Sequence, residues 1–246
     1  MNLLLFEHGE LDGAFLNLAD RRADHIIQVL GLQEGDTLRV GMLNGKLGSA
    51  RVVSIKGGRV ELEVLLNATP PDIPEIELIL ALPRPIMLQR ILKQATVLGV
   101  RRFHLIRSNR VQKSYFQSHI LHPEKSKEIL IQGLEQTVDT RLPEVVVHHR
   151  FMPFIEDVVP TLNASCRLLA HPDERATLPD LFAGDKIMDR AVLAIGPEGG
   201  WSEHEVLQFR KQGFQCFSMG RRILHVDTAV VVLLSQLQVL QSLRKR

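Results

Sequence analysis

Two cysteines in 246 residues, Cys166 and Cys216, have neither metal nor redox spacing, which excludes a disulfide framework and a cysteine metal knuckle. Each lies in an apolar, strand-like stretch and is expected to be a small buried residue. One tryptophan and one tyrosine argue against extensive stacking of bases on aromatic rings. The longest aliphatic run, Ala229 to Leu234, is far short of the roughly 20 residues that cross a bilayer. The opening MNLLLFEHGELDG has no basic n-region and no full h-region, so no signal peptide is expected. A cytoplasmic protein, off the membrane and without a metal, fits these absences. No P-loop or G-x-G-x-x-G is present, so a generic nucleotide-binding α/β enzyme lacks its signature.

The most informative absence is of acid. Between Glu77 and Glu124 there is no Asp or Glu, in a chain that holds 28 of them. The same window carries Arg84, Arg90, Lys93, Arg101, Arg102, Arg107, Arg110 and Lys113, with three histidines. Net charge is +2 overall, while residues 1–72 hold 7 Lys/Arg against 10 Asp/Glu. One reading is an electrostatic footprint for a polyanion; the other is a solvated face whose acids come from elsewhere in space.

Residues 1–66 read as mostly β, with strand-like runs Thr37–Met42, Leu47–Ile55 and Arg59–Leu66. Asn44-Gly45 and Gly57-Gly58 between them are hairpin signals. Arg21 to Leu30 has a short helical pattern, and the whole suggests a small β-barrel with one helix. Asn67-Ala-Thr-Pro-Pro-Asp-Ile-Pro74 reads as a stiff linker, because proline denies helix and ladder bonds. The domain boundary is therefore placed between residues 1–70 and 71–246.

Strands are then expected at Ile76–Leu82, Phe103–Ile106, Glu144–Val147, Arg167–Ala170, Ala191–Ile195 and Phe214–Phe217. Helices are expected at Met87–Leu98, Pro123–Val138, Met152–Val158, Ser202–Gln212 and Thr228–Leu243. Such alternation predicts an α/β domain with a largely parallel sheet, whose ligands bind beyond the carboxyl ends of its strands. The last helix is apolar on more than one face, so it either lies centrally or also packs on a second subunit.

The segment Gly196-Pro-Glu-Gly-Gly-Trp-Ser-Glu-His-Glu205 follows one such strand. Ser202 and Glu205 have the spacing of a capping box, which starts a helix there. Glycines between a strand end and a helix start leave backbone N–H groups open to a nucleoside or an anion. Such a loop is also an ordinary tight turn, and its neighbours decide. LAIGPEGGWSEHEV (193–206) is followed by MGRRILHVDTAVVVLL (219–234). Together they resemble the signature of the RsmE-type 16S rRNA uridine-N3 methyltransferases of the SPOUT superfamily. HIIQVLGLQEGD (25–36), QATVLGV (94–100) and EQTVDTRLPEV (135–145) match more weakly, in the same order.

The resemblance implies a PUA-like RNA-binding barrel, then an α/β methyltransferase domain with a C-terminal trefoil knot. It also implies S-adenosyl-L-methionine as methyl donor, a homodimer, and rRNA or the small ribosomal subunit as partner. Carried over, the cofactor would lie among Leu169, Ala170 and His171; Gly196, Pro197, Glu198, Gly199 and Gly200; and Met219, Gly220, Ile223 and Leu224. Plain core packing is the alternative for the aliphatic members, and a solvent-facing loop position for His171.

Methylation at a uridine nitrogen requires loss of the N3 proton, hence a general base or cations for the developing anion. Glu198, His225 and Asp227 are candidates for the base, and Arg221 and Arg222 for anion stabilisation. RNA contacts are expected from Arg84, Arg102, Arg107, Arg110, Lys113 and Arg141, mostly to phosphates. The chain departs from the family's pattern at His225 for arginine, Asp227 for glutamate, Val97 for glutamate, and Pro83-Arg84-Pro85 where a lysine is usual. Histidine lacks arginine's planar fork. The departures motivate two alternatives: methylation of a different RNA site, or a non-catalytic RNA-binding assembly factor.

Overall fold

A computed structural model describes residues 2–71, 75–182, 190–220 and 222–244. The chain divides into two units, Met1–Asp72 with Ile131–Leu142, and Ile73–Leu130 with Pro143–Arg246.

The first unit holds β1 (Leu4–Phe6), β2 (Leu11–Asp12), β3 (Phe15–Leu18), α1 (Arg21–Asp24), β4 (Thr37–Met42), β5 (Leu47–Lys56) and β6 (Arg59–Ala68). Its sheet runs β1-β4-β5-β6-β3-β2. Only the β1–β4 pair is parallel; the other pairs are antiparallel. Gly57 (φ 56) and Gly58 (φ 77) turn β5 into β6, as a two-residue hairpin with both central residues at positive φ requires. Alternate residues of β6, Val60, Leu62 and Val64, are buried with Leu4, Phe6, Leu16, Leu18 and Ile26 in one core. Asp20 caps α1 by accepting from the Arg22 amide, and the chain continues as a π-helical turn over His25–Val29. Asn67 and Ala68, read from sequence as linker, belong to β6; linker residues 72–74 lie outside the described ones.

Residues 131–142 belong to this unit because its N-terminal strand needs them. The amides of Asn2 and Leu3 donate to the Glu135 carbonyl at 2.9 and 3.1 Å. Arg21 pairs with the nearly buried Glu135 carboxylate at 2.9 Å. Leu134 is buried with Leu3 and Leu5, and the Thr140 hydroxyl donates to the Gly45 carbonyl at 2.6 Å. A single cut at residue 70 separates this segment from the strands it completes.

The second unit alternates strand and helix: β7 (Glu75–Ala81), α2 (Pro85–Val97), β8 (Val100–Ile106), α3 (Pro123–Thr137), β9 (Glu144–His148), α4 (Phe151–Pro153), β10 (Cys166–Ala170), α5 (Leu178–Leu181), β11 (Arg190–Ile195), α6 (Glu203–Lys211), β12 (Gln215–Phe217) and α7 (Val226–Arg244). The last turns of α3 are those counted with the first unit. The strand order is β12-β10-β11-β7-β8-β9, every pair parallel. A sheet covered on both faces needs near-continuous apolar strands, and Leu78, Ile79 and Leu80 of β7 and Ala191 to Ile195 of β11 are all buried. Parallel pairing also brings all six carboxyl ends to one edge.

Pro85 opens α2 at the first helical position, where its missing N–H costs no helical bond. Over Val226–Leu243, α7 is long and apolar enough to cross a membrane by length and composition. Its Val230, Leu233, Leu234 and Leu237 are nonetheless buried within the unit, whereas Val239 and Leu243 are 54% and 64% exposed. The cysteines are partly rather than fully buried. Cys216 is no purely apolar filler, since its Sγ accepts from Nε of Arg210 at 3.2 Å.

Candidate active site

At that edge, β10, β11 and β12 end side by side: Leu169 pairs with Ala194 and Cys216, and Ala170 with Phe217. Three loops leave them together. The first is tied to the third, as the His171 amide donates to the Phe217 carbonyl at 2.9 Å and Ser218 to Ala176 at 2.8 Å. The second is closed on itself by Gly200 N–H donating to the Pro197 carbonyl at 2.8 Å. Gly200 has φ +73, a left-handed conformation that disfavours any side chain.

The loops enclose a cavity of about 740 Å³, its open mouth included. Of the residues proposed from sequence, Ala170, His171, Gly196, Pro197, Glu198 and Gly200 line it. So do Met219, Gly220, Arg222, Ile223 and Leu224. Leu169 does not; it is 0% exposed within the sheet. Gly199 does not either: its carbonyl accepts from the Arg110 guanidinium, and an added Cβ would stand 3.1 Å from Arg110 Cδ. Ile195, Phe217, Val226, Ala229 and Leu233 complete an apolar wall; all but Phe217 lie inside the two motif blocks, yet none is singled out by sequence, because the wall forms only when α7 meets the strand ends.

Trp201 is the wall residue that sequence reasoning passed over, although it is the sole tryptophan and lies inside the motif. It is 5% exposed, and among the described residues its Nε1 has no hydrogen-bond partner. Its ring explains the glycine at 196, where a Cβ would meet the indole at 3.1 Å. An apolar cleft with glycine backbone on one side and a buried orphan donor in its wall fits a nucleoside cofactor.

The candidate acid–base groups are not all brought together. Glu198 and Arg222 are exposed on the cavity. Asp227 instead accepts from the Thr228 amide at 2.9 Å and faces Arg90 at 3.8 Å, as a carboxylate at a helix start favours. His225 is exposed outside the cavity lining, and its carbonyl accepts from the Ala229 amide at 2.8 Å. Arg221 lies outside the described residues.

The basic window is likewise divided. Arg107 and Lys113 line a second cleft in the same unit. Arg102 pairs with Glu144 at 2.7 Å. Arg84 is exposed at the head of α2. Arg141, in the first unit, bonds Asp139 and the Pro71 carbonyl. His104 is no surface cation site: it is 2% exposed, and its Nε2 donates to Glu77 at 2.9 Å. Its Nδ1 lies 3.1 Å from Nε2 of His148, so one proton sits between the two rings. The His104 bond holds the Glu77 carboxyl below its ordinary value despite burial. Burial, with the His104 and His149 charges, pushes His148 down to about 4. Among the described residues no three His, Cys, Asp or Glu cluster as a metal site.

Residues 70–238 match the model of the RNA methyltransferase domain family. Over 233 residues the chain is 36% identical to a ribosomal RNA small subunit methyltransferase E of Treponema pallidum, covering 93% of this chain and 87% of that one. A protein of that name from Synechocystis is 30% identical, with 92% and 74% covered. The fold superposes with TM-score 0.77 on the crystal structure of a ribosomal RNA small subunit methyltransferase E from Neisseria gonorrhoeae bound to S-adenosyl methionine, at 22% identity and 97% and 98% coverage. A probable rRNA-methyltransferase from Porphyromonas gingivalis gives TM-score 0.77 at 24% identity, with 98% and 99% covered. With its α/β domain matched along its length and its relatives alike from end to end, the chain belongs to the RNA methyltransferase domain family, in company with the ribosomal RNA small subunit methyltransferase E proteins.

Proposed function

We propose that this protein is an S-adenosylmethionine-dependent methyltransferase of 16S rRNA in the small ribosomal subunit, acting on N3 of a uridine. The observation that carries the reading is the cavity at the ends of β10, β11 and β12, lined by both sequence blocks of the family resemblance. Residues 1–70, completed by residues 131–142, serve as a PUA-like RNA-binding domain, and the rest of residues 71–246 as the knotted catalytic domain. The protein works as a homodimer in the cytoplasm. The all-parallel order β12-β10-β11-β7 supports the catalytic assignment.

In this reading Gly200 and Gly220 let backbone approach the cofactor, while Gly196 makes room for the Trp201 ring beside it. Met219, Ile223 and Leu224, with the wall residues Val226 and Leu233, cover its apolar surface, and Trp201 Nε1–H offers it a donor. Bound there, the cofactor supplies an activated methyl group on a sulfonium. The protein's share is positioning of the acceptor and removal of the N3 proton. Glu198 and Arg222 both line the cavity; in this reading Glu198 takes that proton and Arg222 stabilises the charge that develops. Asp227 and His225, outside the lining, shape the start of α7.

The departures at 225 and 227 therefore fall outside the cavity lining, which favours an enzyme over a non-catalytic assembly factor. Calorimetry with S-adenosylmethionine decides: binding in the micromolar range is expected, and no binding overturns the enzyme. Mapping of rRNA modifications in cells lacking the gene then reads the target. Loss of one N3-methyluridine is expected, and loss of a different mark reassigns the site.

A further inference from the structure

The second cleft opens at the carboxyl ends of β8 and β9, on the same sheet edge as the cofactor cavity but with no lining residue in common. It holds about 1290 Å³, its open mouth included. Its walls are the segment after β8, the segment through His149 and Arg150 into α4, and the first turn of α6. The Arg107 amide donates to the His148 carbonyl at 3.0 Å, which holds the first two walls together.

The lining is cationic. Arg107, Lys113 and Arg150 face it, with the imidazoles of His149 and His204. Glu205 is the one carboxylate among the described lining residues, and its oxygens are occupied: Oε1 accepts from the Asn109 amide at 2.8 Å, and Oε2 from the Ser202 amide and hydroxyl, both at 2.9 Å. It is also 2% exposed. Glu203, in the same helical turn, does not line the cleft. A second observation is independent of charge. Ser108, on the wall, is 2% exposed, and among the described residues its hydroxyl has no hydrogen-bond partner. Such an orphan in a polar site calls for a ligand.

We propose that this cleft binds a backbone phosphate of the RNA strand that carries the acceptor nucleotide. Three cations and an unpaired hydroxyl match a phosphodiester, which is anionic and accepts hydrogen bonds only. Arg110 links the cleft's first wall to the cofactor loop through the Gly199 carbonyl, so a phosphate held here anchors the strand next to the loop that carries the methyl donor. Arg150, His149 and His204 lie outside the acid-free window, which shows only part of the site. The inference rests on the RNA methyltransferase reading, and it concerns strand anchoring alone.

The test measures binding of a uridine-containing rRNA fragment to the full-length protein across a salt series, with S-adenosylmethionine affinity measured beside it. Arg150→Ala and Lys113→Ala should each weaken RNA binding and flatten the plot of log K against log salt by about 0.7 to 0.9. Arg150→Lys should restore the slope. His204→Glu separates charge from structure: an acid in the first turn favours the helix, so the variant should melt no lower than wild type and yet bind RNA more weakly. S-adenosylmethionine affinity should stay unchanged throughout. Unaltered slopes in both alanine variants, with cofactor binding intact, overturn the cleft and leave the enzyme standing. Failure of wild type to bind S-adenosylmethionine overturns the enzyme, while the slopes still decide the cleft.

Discussion

Glu205 shows what a single side chain carries in this fold. The Ser202–Glu205 spacing announces a helix cap from sequence, and both halves of the capping box form. The bond from Oε1 to the Asn109 amide spans 96 positions, and no local pattern reveals it. Removing the carboxylate leaves the Asn109 amide, the Ser202 amide and the Ser202 hydroxyl without their acceptor. Glu205→Ala should therefore destabilise the protein by about 2–4 kcal/mol, read from urea midpoints. A loss under about 0.5 kcal/mol would show that these donors find other partners. His148 makes a second prediction at this scale. Its native pKa, about 4, lies below the ordinary 6.5. Between those values the unfolded chain takes up a proton that the native ring refuses, so this contribution is intact above pH ~6.5 and is lost toward pH ~4. Glu77, lowered by its bond to His104, also loses stability on the acid side. Solvent reaching the half-buried imidazole holds its share to about 1–2 kcal/mol. His148→Gln should flatten stability against pH in that window, and an unchanged slope would assign the acid sensitivity to other groups.

Among the elements, four helices and five of the six strands of the second sheet are legible to within two residues, because apolar runs broken by turn residues follow from burial on both sheet faces; β8 starts three residues before the expected Phe103. The short strands β1, β2 and β3 are not legible, since three, two and four residues hold too little alternation to read. The π-helical turns are hidden as well: Ile26 and Ile155 are buried as in any amphipathic helix, and apolar spacing does not report how tightly the backbone is wound. The loop between β11 and α6 is the element whose packing the sequence conveys least. Its glycines were assigned to ligand approach, yet Gly196 is constrained by its neighbour's ring, 3.1 Å from where a Cβ would sit. Gly196→Ala should displace Trp201, shift the emission of the chain's single tryptophan, and weaken S-adenosylmethionine binding by about tenfold, or 1.4 kcal/mol. Unchanged emission with unchanged affinity would mean that the indole moves aside freely.

At the scale of the whole molecule, the sequence divides the chain once, while the structure returns residues 131–142 to the first unit. Nothing local marks that return, because Leu134 and Glu135 look like ordinary helix residues until Leu3, Leu5 and Arg21 are beside them. The apolar pattern of the last helix allows two positions, central in the domain or against a second subunit. Its Val230, Leu233, Leu234 and Leu237 answer the first by burial within the unit. Val239 and Leu243 remain, one helical turn apart on the exposed side, and Ile86 and Val97 of α2, the helix against which α7 packs, are 64% and 38% exposed. Apolar side chains left on two packed helices are what the proposed homodimer would cover. Their positions give the dimer its own test. Val239→Asp with Leu243→Asp puts two charges on a face that needs none for the fold of one chain, so the melting of isolated chains should change little. Association should fail, because a charge buried without a partner in an apolar interface costs several kcal/mol. Sedimentation should then show a monomer for the double variant where the parent protein is a dimer. A dimer in both would place the subunit contact on another surface.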